Sequence, residues 1–392
     1  MAIRQDTGVS FELSDDQRSL RELAREFAEK EIRPRAAEYD ERQTHPADVI
    51  EKAHALGLMN LHVPAEVGGP ELGLLDGSVI TEELCWGCSG IATSLMANGL
   101  GAGPLIAAGT DAQKRTWLAP LIEAPVLCSF ALTEPDAGSD VARLKTMAER
   151  RGDEYVLNGS KTFITNAGQA AWTVVFAKTD SDKGHRGISA FVVPMDTPGV
   201  TIEKHLDKMG QRATDTSAFA LSDVVVPAAN RLGEEGDGFR IAMRTLDGTR
   251  PATAIGAVGV ARAAFELACD YSKERVTFDQ PIAMHQGVSF LIADMATKIE
   301  AARLLTWQAA WMLDNGWGRK ATLYSSMAKR FAADTAMEVT TDAVQIFGGY
   351  GYIKEYPVEK LMRDAKLYQI YEGTSQIQRL VIARDVLMPR GD

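Results

Sequence analysis

The chain has 392 residues, of which 45% are hydrophobic and 24% charged, so it is long enough for two or three domains and has the composition of a globular protein. Its 42 basic and 53 acidic residues give a net charge of −11, which argues against nucleic acid or an anionic membrane as the principal partner. The six histidines are scattered and only Cys85 and Cys88 lie close together, so buried thiols are favoured over a metal or redox site.

The sequence lacks the usual marks of a membrane or exported protein. No apolar run approaches the ~18 residues that a spanning helix needs. The first residues contain neither an apolar signal core nor an acid-free, arginine-rich transit sequence. We therefore expect a cytoplasmic protein, or a protein of the mitochondrial matrix if a leader has been removed.

Residues 1–125 are predicted to form an α-helical domain. The pattern SDDQ from Ser14 is a capping box that opens a helix, and apolar residues at helical spacing follow it. Pro34 is expected to stop this helix. Further amphipathic stretches continue to about residue 125.

Residues 126–237 are predicted to form a domain of antiparallel strands. Short β-branched and aromatic runs occur at residues 155–157, 161–165, 172–177, 188–193, 200–203 and 218–226. Asn158 and Gly159, between the first two runs, predict a hairpin.

Residues 238–392 return to long, alanine-rich helical patterns, which predict a helical bundle. Breaks are expected at Pro281, at residues 315–318 and 348–351, and at Gly373. The order is therefore helices, sheet, helices. That order is α+β, because the strands do not alternate with helices.

Glu372 lies in the segment IYEGTSQIQR (370–379) between two helical patterns, where a carboxylate is a candidate base. Ser375 and Gln378 have the spacing of a capping box for the second helix. Gly373 permits unusual backbone conformations and leaves nearby N–H groups available to a ligand. From this segment alone, a glutamate in a surface loop is the commoner occurrence.

Several common ligand and catalytic motifs do not occur. No GxGxxG follows a strand, and neither GxxxxGK[ST] nor GxSxG is present, which disfavours a Rossmann site, a P-loop and an esterase-type nucleophile. The segment FALTEPDAGSD (130–140) offers a hydroxyl group, a proline-fixed turn and a Gly–Ser pair to a polar ligand. Taken alone, it also fits an ordinary turn.

Six segments, in order, resemble the acyl-CoA dehydrogenase family. They are FALTEPDAGSD, KTFITNA (161–167), LDGTRP (246–251), RVTF (275–278), QIFGGYG (345–351) and IYEGTSQIQR. The C-terminal third looks closest to medium-chain and short-chain members. The resemblance implies an N-terminal α-helical domain, a middle antiparallel β-barrel-like domain and a C-terminal four-helix bundle, which agrees with the α+β order.

The resemblance also implies a bound FAD and α,β-desaturation of an acyl-CoA thioester to the trans-2-enoyl-CoA. Glu372 would remove the α proton while the β hydride passes to flavin N5. An ordinary glutamate has a pKa of about 4.3 and is a weak base, so a dry site should raise that pKa toward about 6 to 7. The thioester oxygen should also receive hydrogen bonds as enolate character develops.

The resemblance assigns site residues by position. Five residues resemble those that line the flavin and its phosphates: Phe130, Leu132, Thr133, Gly138 and Ser139. Phe163 and Thr165 resemble residues against the isoalloxazine ring. Five more resemble the residues that hold the FAD diphosphate and adenosine: Arg275, Thr277, Phe278, His285 and Gln286. Gln345 and Gly349 resemble a loop that serves the FAD of a neighbouring subunit.

The remaining matches concern the last helix and the substrate. Thr374, Ser375 and Gln376 begin the last helix, whose N-terminal end suits an anion. Those resembling contacts to CoA and the thioester are Ser139, Asp247, Thr249, Arg250, Gly373 and Arg384. Arg250 has an alternative interpretation as part of a buried structural ion pair.

Three further points bear on the finer assignment. Asp279 follows Phe278 where the family usually has glycine, which puts the local geometry near the expected diphosphate in question. Isovaleryl-type and long-chain members carry the base on the helix that matches residues 246–250, but Thr249 cannot serve as a base. Residues 96–100 resemble the stretch that lines the acyl tail, and Gly99, Gly101 and Gly103 lie in or beside it. Two alternatives stay open: these glycines leave room for a medium chain, or a bulky side chain from another helix fills that space.

Alternatives within the family share the fold. They are an acyl-CoA oxidase, a short branched-chain acyl-CoA dehydrogenase of amino-acid catabolism, relatives such as nitroalkane oxidase and flavin monooxygenases, and a catalytically silent member. The resemblance further implies a homotetramer built as a dimer of dimers, and reoxidation by electron transfer flavoprotein.

Overall fold

The computed structural model describes residues 12–388, so the outer ends of the first and last expected domains lie outside the described residues. Helices come first, a sheet follows, and helices return, as the sequence predicts. The helices before the sheet are α1 (Asp15–Phe27), α2 (Ala36–Arg42), α3 (Ala47–Ala55), α4 (Leu74–Ala108), α5 (Asp111–Trp117) and α6 (Ala119–Glu123).

The capping box predicted at the start of α1 is confirmed. The backbone N–H of Gln17 donates to Ser14 Oγ at 3.1 Å, and the N–H of Ser14 donates to Gln17 Oε1 at 3.0 Å. The predicted stop at Pro34 is wrong, because the chain continues through a π turn (Ala28–Ile32) and a 3-10 turn (Arg33–Arg35) into α2. Pro34 is tolerated at the start of the 3-10 turn, where a backbone donor is not required.

One eight-stranded sheet forms the middle of the protein. Its strands are β1 (Cys128–Ala131), β2 (Met147–Arg151), β3 (Glu154–Thr165), β4 (Trp172–Lys178), β5 (Ile188–Pro194), β6 (Val200–His205), β7 (Thr216–Pro227) and β8 (Arg231–Leu232). The order across the sheet is β6-β7-β3-β2-β4-β5-β8, with β1 also paired to β4. The pairs are antiparallel, except that β1 and β2 each pair with β4 in parallel.

The hairpin predicted at Asn158 and Gly159 is wrong, because both residues lie inside β3. The pairing of β3 with β7 shifts register between Leu157 and Gly159, which is the signature of a bulge. The Asn158 amide donates to Asp223 Oδ1 at 3.1 Å, and the N–H of Asp223 donates back to Asn158 Oδ1 at 2.8 Å. The real turn between β2 and β3 contains Gly152, at a φ of +65°.

The C-terminal part holds a two-stranded hairpin and five helices. They are α7 (Gly238–Glu274), β9 (Val276–Thr277), β10 (Gln280–Pro281), α8 (Gln286–Asp314), α9 (Arg319–Phe347), α10 (Val358–Tyr368) and α11 (Ser375–Leu387). All four predicted breaks fall between these helices and are confirmed. The largest hydrophobic core joins α1, α3 and α4 to α7, α8, α9 and α10, so the first and last helices share one core.

Helices α4 and α7 are each long and apolar enough to cross a membrane by length and composition alone, so the expectation that no apolar stretch approaches this length is wrong. Within the apolar window of each, 50% and 67% of the residues are buried inside the protein, respectively. The two helices pack against each other, and core helices commonly have these properties. This is therefore weak evidence for a membrane span.

Cys85 and Cys88 are free, buried thiols on α4, as expected from the sequence. Burial raises the pKa of the Cys85 thiol to about 12, and Tyr368 donates to its sulfur at 3.6 Å. A thiol in this state is a packing residue rather than a nucleophile.

Candidate functional site

Glu372 lies in the short turn between α10 and α11. Its φ is +53° and that of Gly373 is +88°, so two successive residues adopt the left-handed conformation. The N–H of Ser375 donates to the carbonyl of Gln369 at 3.0 Å and closes the turn. A glutamate in this conformation is uncommon, and such backbone strain is frequent at functional sites.

The capping box predicted at Ser375 and Gln378 is wrong by one residue. The N-cap of α11 is Thr374, whose Oγ1 accepts from the N–H of Ile377 at 3.1 Å. The Gln378 amide instead donates to the carbonyls of Glu372 and Gly373, at 3.2 Å each. Gln378 therefore holds the turn that presents Glu372 rather than closing a capping box.

The carboxylate of Glu372 faces α7. Thr249 Oγ1 donates to Glu372 Oε2 at 2.6 Å. Burial raises the pKa of Glu372, while hydrogen bonds from Thr249 and Thr253 and the charges of Lys329 and Arg250 oppose this rise. The residue is half-buried, so some solvent contact remains. The result is a carboxylate that is more basic than an ordinary one.

Lys329 of α9 belongs to this site, although the sequence reasoning missed it. The residue is 0% exposed, and its Nζ donates to the carbonyl of Gly373 at 2.6 Å. Burial lowers its pKa to about 8, against the raising effect of Glu372. The sequence offers one indication of this burial, because Lys329 follows the small residues Ser325, Ser326 and Ala328. All three are buried in the structure.

Arg250 and Asp247 form an ion pair one helical turn apart on α7. Arg250 Nη1 also donates to Ser326 Oγ at 3.4 Å, and Thr322 donates to Asp247 Oδ2 at 3.3 Å. Burial raises the pKa of Asp247, and the charge of Arg250 opposes it. The buried Nε of Arg250 has no hydrogen-bond partner among residues 12–388. The ion pair supports the structural interpretation of Arg250, but its Nε–H donor has no partner in that arrangement.

The residues expected along the flavin form a second group, at β1 and β3. The N–H of Thr162 donates to the carbonyl of Thr133 at 3.0 Å, which joins the two segments. Beneath them Lys161, fully buried, donates to Glu134 at 2.7 Å and to the carbonyl of Leu132 at 3.3 Å. Phe163 is 67% exposed at a φ of +58°.

The other members of this second group differ in exposure. Phe130, Thr133 and Thr165 are half-buried, Leu132 is buried, and Gly138 and Ser139 are exposed. The Phe130 ring packs on Phe176, with 4.9 Å between centroids. The exposed members of this group are therefore Gly138, Ser139 and the aromatic ring of Phe163.

A third group surrounds the hairpin of β9 and β10. Thr277 Oγ1 and His285 Nε2 lie 3.3 Å apart, and the ring of Phe278, 91% exposed, lies nearly perpendicular to that of His285 with 5.9 Å between centroids. Phe278 and Asp279 form the turn with φ values of 49° and 62°. Asp279 therefore adopts a left-handed conformation that glycine takes without strain, so the departure from the family pattern preserves the turn.

A cavity of about 420 Å³ adjoins this hairpin. Its lining is Tyr271, Arg275, Thr277, Ile282, Ile346, Phe347, Gly348, Gly349, Tyr350 and Ile353. The Arg275 guanidinium lies 5.6 Å from the centroid of the Tyr350 ring. The expected residues Arg275, Thr277 and Gly349 are thus brought together within one chain.

Four expected residues lie outside these groups, on helix surfaces. Gln286, Gln345, Gln376 and Arg384 are exposed on α8, α9 and α11. Ser375 is buried, and its hydroxyl donates to Asp334 at 3.0 Å, so its side chain serves helix packing.

The three glycines of α4, in or beside the stretch that resembles the lining of the acyl tail, have different surroundings. A Cβ on Gly101 would lie 2.7 Å from Cys128 Sγ, and one on Gly103 would lie 2.5 Å from Thr245 Cγ2. These two glycines allow close packing. A Cβ on Gly99 would have nothing within 4 Å.

Comparison with known proteins gives the same family throughout the chain. The family models for the N-terminal, middle and C-terminal domains of acyl-CoA dehydrogenase match residues 14–124, 129–224 and 236–387. The chain is 47% identical to cyclohex-1-ene-1-carbonyl-CoA dehydrogenase of Geobacter metallireducens over 96% of this chain and 99% of that protein. It is 43% identical to the mitochondrial short-chain specific acyl-CoA dehydrogenase of Rattus norvegicus, over 96% and 92%.

Solved structures share the fold. Butyryl-CoA dehydrogenase of Megasphaera elsdenii superposes with a TM-score of 0.94 at 44% identity, covering 97% of this chain and 100% of that one. The three matched domains, the identities and the common fold all indicate one family. The chain therefore belongs to the acyl-CoA dehydrogenase family of FAD-dependent oxidoreductases.

Proposed function

We propose that this protein oxidises an acyl-CoA thioester to the trans-2-enoyl-CoA, with Glu372 removing the α proton. One observation carries the proposal: the carboxylate of Glu372, held by Thr249 at 2.6 Å, has a pKa raised by burial. A raised pKa makes a carboxylate a better base near neutral pH. Thr249 occupies the position of the alternative base and has no basic group.

The backbone around Glu372 supports a second role, the binding of the thioester oxygen. The N–H of Glu372 has no hydrogen-bond acceptor within residues 12–388, whereas the N–H groups of Tyr371 and Ser375 on either side of the turn are bonded to the carbonyls of Leu367 and Gln369. This donor is thus available to the negative charge that develops on the thioester oxygen as the α proton leaves. Arg250, Asp247 and Ser139 are further candidates for contacts to the substrate, as is the exposed Arg384.

The residues fit an FAD, which accepts a hydride from the β carbon when bound. Exposed Phe163 and Phe278 offer apolar faces, and a Cβ on Gly138 or Gly349 would meet nothing within 4 Å, which leaves space for a ligand. We assign the flavin end to Phe130, Leu132, Thr133, Gly138, Ser139, Phe163 and Thr165. We assign the diphosphate and adenosine end to Arg275, Thr277, Phe278, His285 and Gln286, with Thr374, Ser375 and Gln376 at the start of α11.

The assembly and partners follow from the same family assignment. Gln345 and Gly349 resemble a loop that serves the FAD of a neighbouring subunit, and Gly349 lines one cavity with Arg275 and Thr277. We therefore propose a homotetramer in which this cavity holds the diphosphate and adenosine end of a neighbouring subunit's FAD. Tyr352, close to this cavity in sequence, is 86% exposed in the single chain, as expected of a surface that a neighbouring subunit covers. Electron transfer flavoprotein is the proposed electron acceptor. The proposed compartment is the cytoplasm of a bacterium. The relatives named short-chain specific and butyryl-CoA dehydrogenases favour a short acyl group.

Anaerobic bleaching of the flavin by butyryl-CoA tests the role of Glu372. Glu372→Gln should retain the flavin absorbance and lose the bleaching. The matched control is Glu203→Gln, which neutralises an exposed glutamate on β6 and should bleach like the wild type. Normal bleaching in Glu372→Gln would refute the assignment. The yield of hydrogen peroxide per turnover in air separates a dehydrogenase from an acyl-CoA oxidase.

The acyl preference needs a separate measurement. Steady-state rates with straight and branched acyl-CoAs distinguish a straight-chain enzyme from a short branched-chain dehydrogenase of amino-acid catabolism. Because Gly101 and Gly103 are packed against Cys128 and Thr245 and leave no space there, we expect rates to fall as the acyl chain lengthens. A maximum with a branched acyl-CoA would favour the alternative.

A further inference from the structure

Lys329 is a charged group at a place where an apolar residue would fit. It is fully buried on α9, and the neighbouring buried residues Ser325, Ala328 and Ala332 are small. Removing an ammonium from water is costly unless an opposite charge or hydrogen bonds compensate. Its Nζ donates to the carbonyl of Gly373 at 2.6 Å, immediately after Glu372. The buried ammonium of Lys329 therefore contacts the turn that carries the proposed base.

We propose that Lys329 is a positioning residue for proton abstraction: its ammonium anchors the carbonyl of Gly373 and provides the positive charge that keeps the Glu372 carboxylate ionised. The inference rests on the proposed role of Glu372 as the base. It adds a residue, and a reason for its charge, to that role.

The other charged groups around Glu372 are already paired. On α7, Arg250 is bound to Asp247, and on α9, Asp334 is bound to Arg379 at 2.6 Å and Arg330 at 3.3 Å. Within residues 12–388, no carboxylate lies within 4.0 Å of Lys329 Nζ. Lys329 therefore supplies a positive charge that no ion pair consumes.

The remaining titratable neighbours of Glu372 are neutral. Burial raises the pKa values of Tyr371, next to Glu372, and of Tyr368 at the end of α10 far above the physiological range. Cys85 of α4, against Tyr368, is also neutral because burial raises its pKa to about 12. Charge at this site is therefore set by Glu372, Lys329 and the paired arginine.

The protonation behaviour of both groups is consistent with this role. Burial lowers the pKa of Lys329 to about 8, so the side chain is still charged at neutral pH. Burial raises the pKa of Glu372, and the charge of Lys329 is among the effects that lower it. Without that charge, a larger share of Glu372 would be protonated and unable to accept the α proton.

A purely structural role for Lys329 makes a different prediction. The Gln378 amide donates to the same carbonyl of Gly373, at 3.2 Å, and carries no charge. Removing Gln378 therefore loosens the same turn without changing the electrostatics. A comparison of the two residues separates anchoring from charge.

The test is stopped-flow reduction of the flavin in the holoenzyme by butyryl-CoA, without oxygen, across pH 5.5 to 9. The variants are Lys329→Met, Lys329→Gln, Lys329→Arg and Gln378→Met. We expect the acid limb of the rate profile to move to higher pH in Lys329→Met and Lys329→Gln, with rates about tenfold lower near pH 6. Lys329→Arg should keep the limb in place. Gln378→Met should lower the rate at every pH without moving the limb.

Three results would overturn the inference. The first is a pH–rate profile whose acid limb does not move in Lys329→Met or Lys329→Gln, and the second is an acid limb that moves equally far in Gln378→Met. The third is the failure of both neutral variants to fold with flavin, which would make Lys329 a structural residue. The proposed function is tested separately by Glu372→Gln. An inactive Glu372→Gln together with an unmoved limb removes only the role of Lys329, whereas an active Glu372→Gln removes the base itself.

Discussion

The hydroxyl of Thr249 donates a hydrogen bond of 2.6 Å to Oε2 of Glu372, and it joins the middle of α7 to the turn between α10 and α11. The two residues are distant in sequence, and the resemblance to the family matches each of them to one of two proposed positions for a base. In this chain one position supplies the carboxylate and the other its hydrogen-bond donor. The contact stabilises the ionised carboxylate against its burial.

Replacing Thr249 by valine should therefore weaken the enzyme most at low pH. The variant keeps the shape of the side chain but removes the donor, so the pKa of Glu372 rises and less carboxylate is available below neutrality. We expect flavin reduction by butyryl-CoA to be slower by about tenfold near pH 6, with recovery toward pH 9. Thr249→Ser retains the hydroxyl group and should keep the wild-type profile. A uniform loss of rate at all pH values in Thr249→Val would assign Thr249 to substrate binding alone.

The same carboxylate should reduce the stability of the folded protein above its pKa. In the unfolded chain Glu372 has an ordinary pKa, while burial raises it in the folded protein. As pH rises from about 4.5 through the folded pKa, the unfolded state loses its proton first, so the folded state loses stability over that window. Glu372→Gln removes the penalty. We expect its Tm to exceed that of the wild type at pH 7.5 and the two to converge near pH 4.5; a lower Tm at pH 7.5 would contradict this.

The order of elements was accessible from the sequence, whereas some local details were not. Breaks at Pro281 and Gly373 were predicted correctly, because proline and glycine act through their own backbone. Asn158 and Gly159 were misassigned, since residues that suit a hairpin turn also suit a bulge. Pairing with β7 favours the bulge over the turn, because Asp223 of β7, distant in sequence, forms a hydrogen bond with Asn158.

The same limit explains which parts of the site could be predicted. The proposed base, Glu372, lies in a motif that the resemblance covers. Lys329 stands in a helix, where a lysine is usually exposed. Its burial depends on α11 and on the turn before it, so only the folded structure brings its ammonium to Gly373.

The buried pair of Lys161 and Glu134 should be essential for the stability of the sheet. Lys161 is 0% and Glu134 5% exposed, and Glu134 also accepts from the N–H groups of Lys145 and Thr146. Lys161→Met leaves the carboxylate buried without its partner, which should lower the free energy of unfolding by about 3–5 kcal/mol. The flavin content should also fall, because Lys161 holds the carbonyl of Leu132.

The double variant Lys161→Met/Glu134→Gln is the control for that prediction. It removes both charges, so part of the lost stability should return in urea unfolding of the holoenzyme. If the double variant lost as much free energy of unfolding as Lys161→Met and Glu134→Gln lose together, the two residues would not act as a pair.

The contact between α4 and α7 depends on Gly259. A Cβ there would lie 2.4 Å from the carbonyl oxygen of Glu82 and 3.0 Å from the N of Trp86, and backbone atoms of a core helix cannot move aside cheaply. Gly259→Ala should therefore lower the free energy of unfolding by about 1–3 kcal/mol, although alanine is the better helix former. Gly287→Ala, on α8 with nothing within 4 Å of the new Cβ, should leave stability unchanged or raise it. Equal unfolding curves for Gly259→Ala and the wild type would mean that α4 and α7 separate without cost. In that case the position of Thr249 relative to Glu372 would not be fixed by this contact.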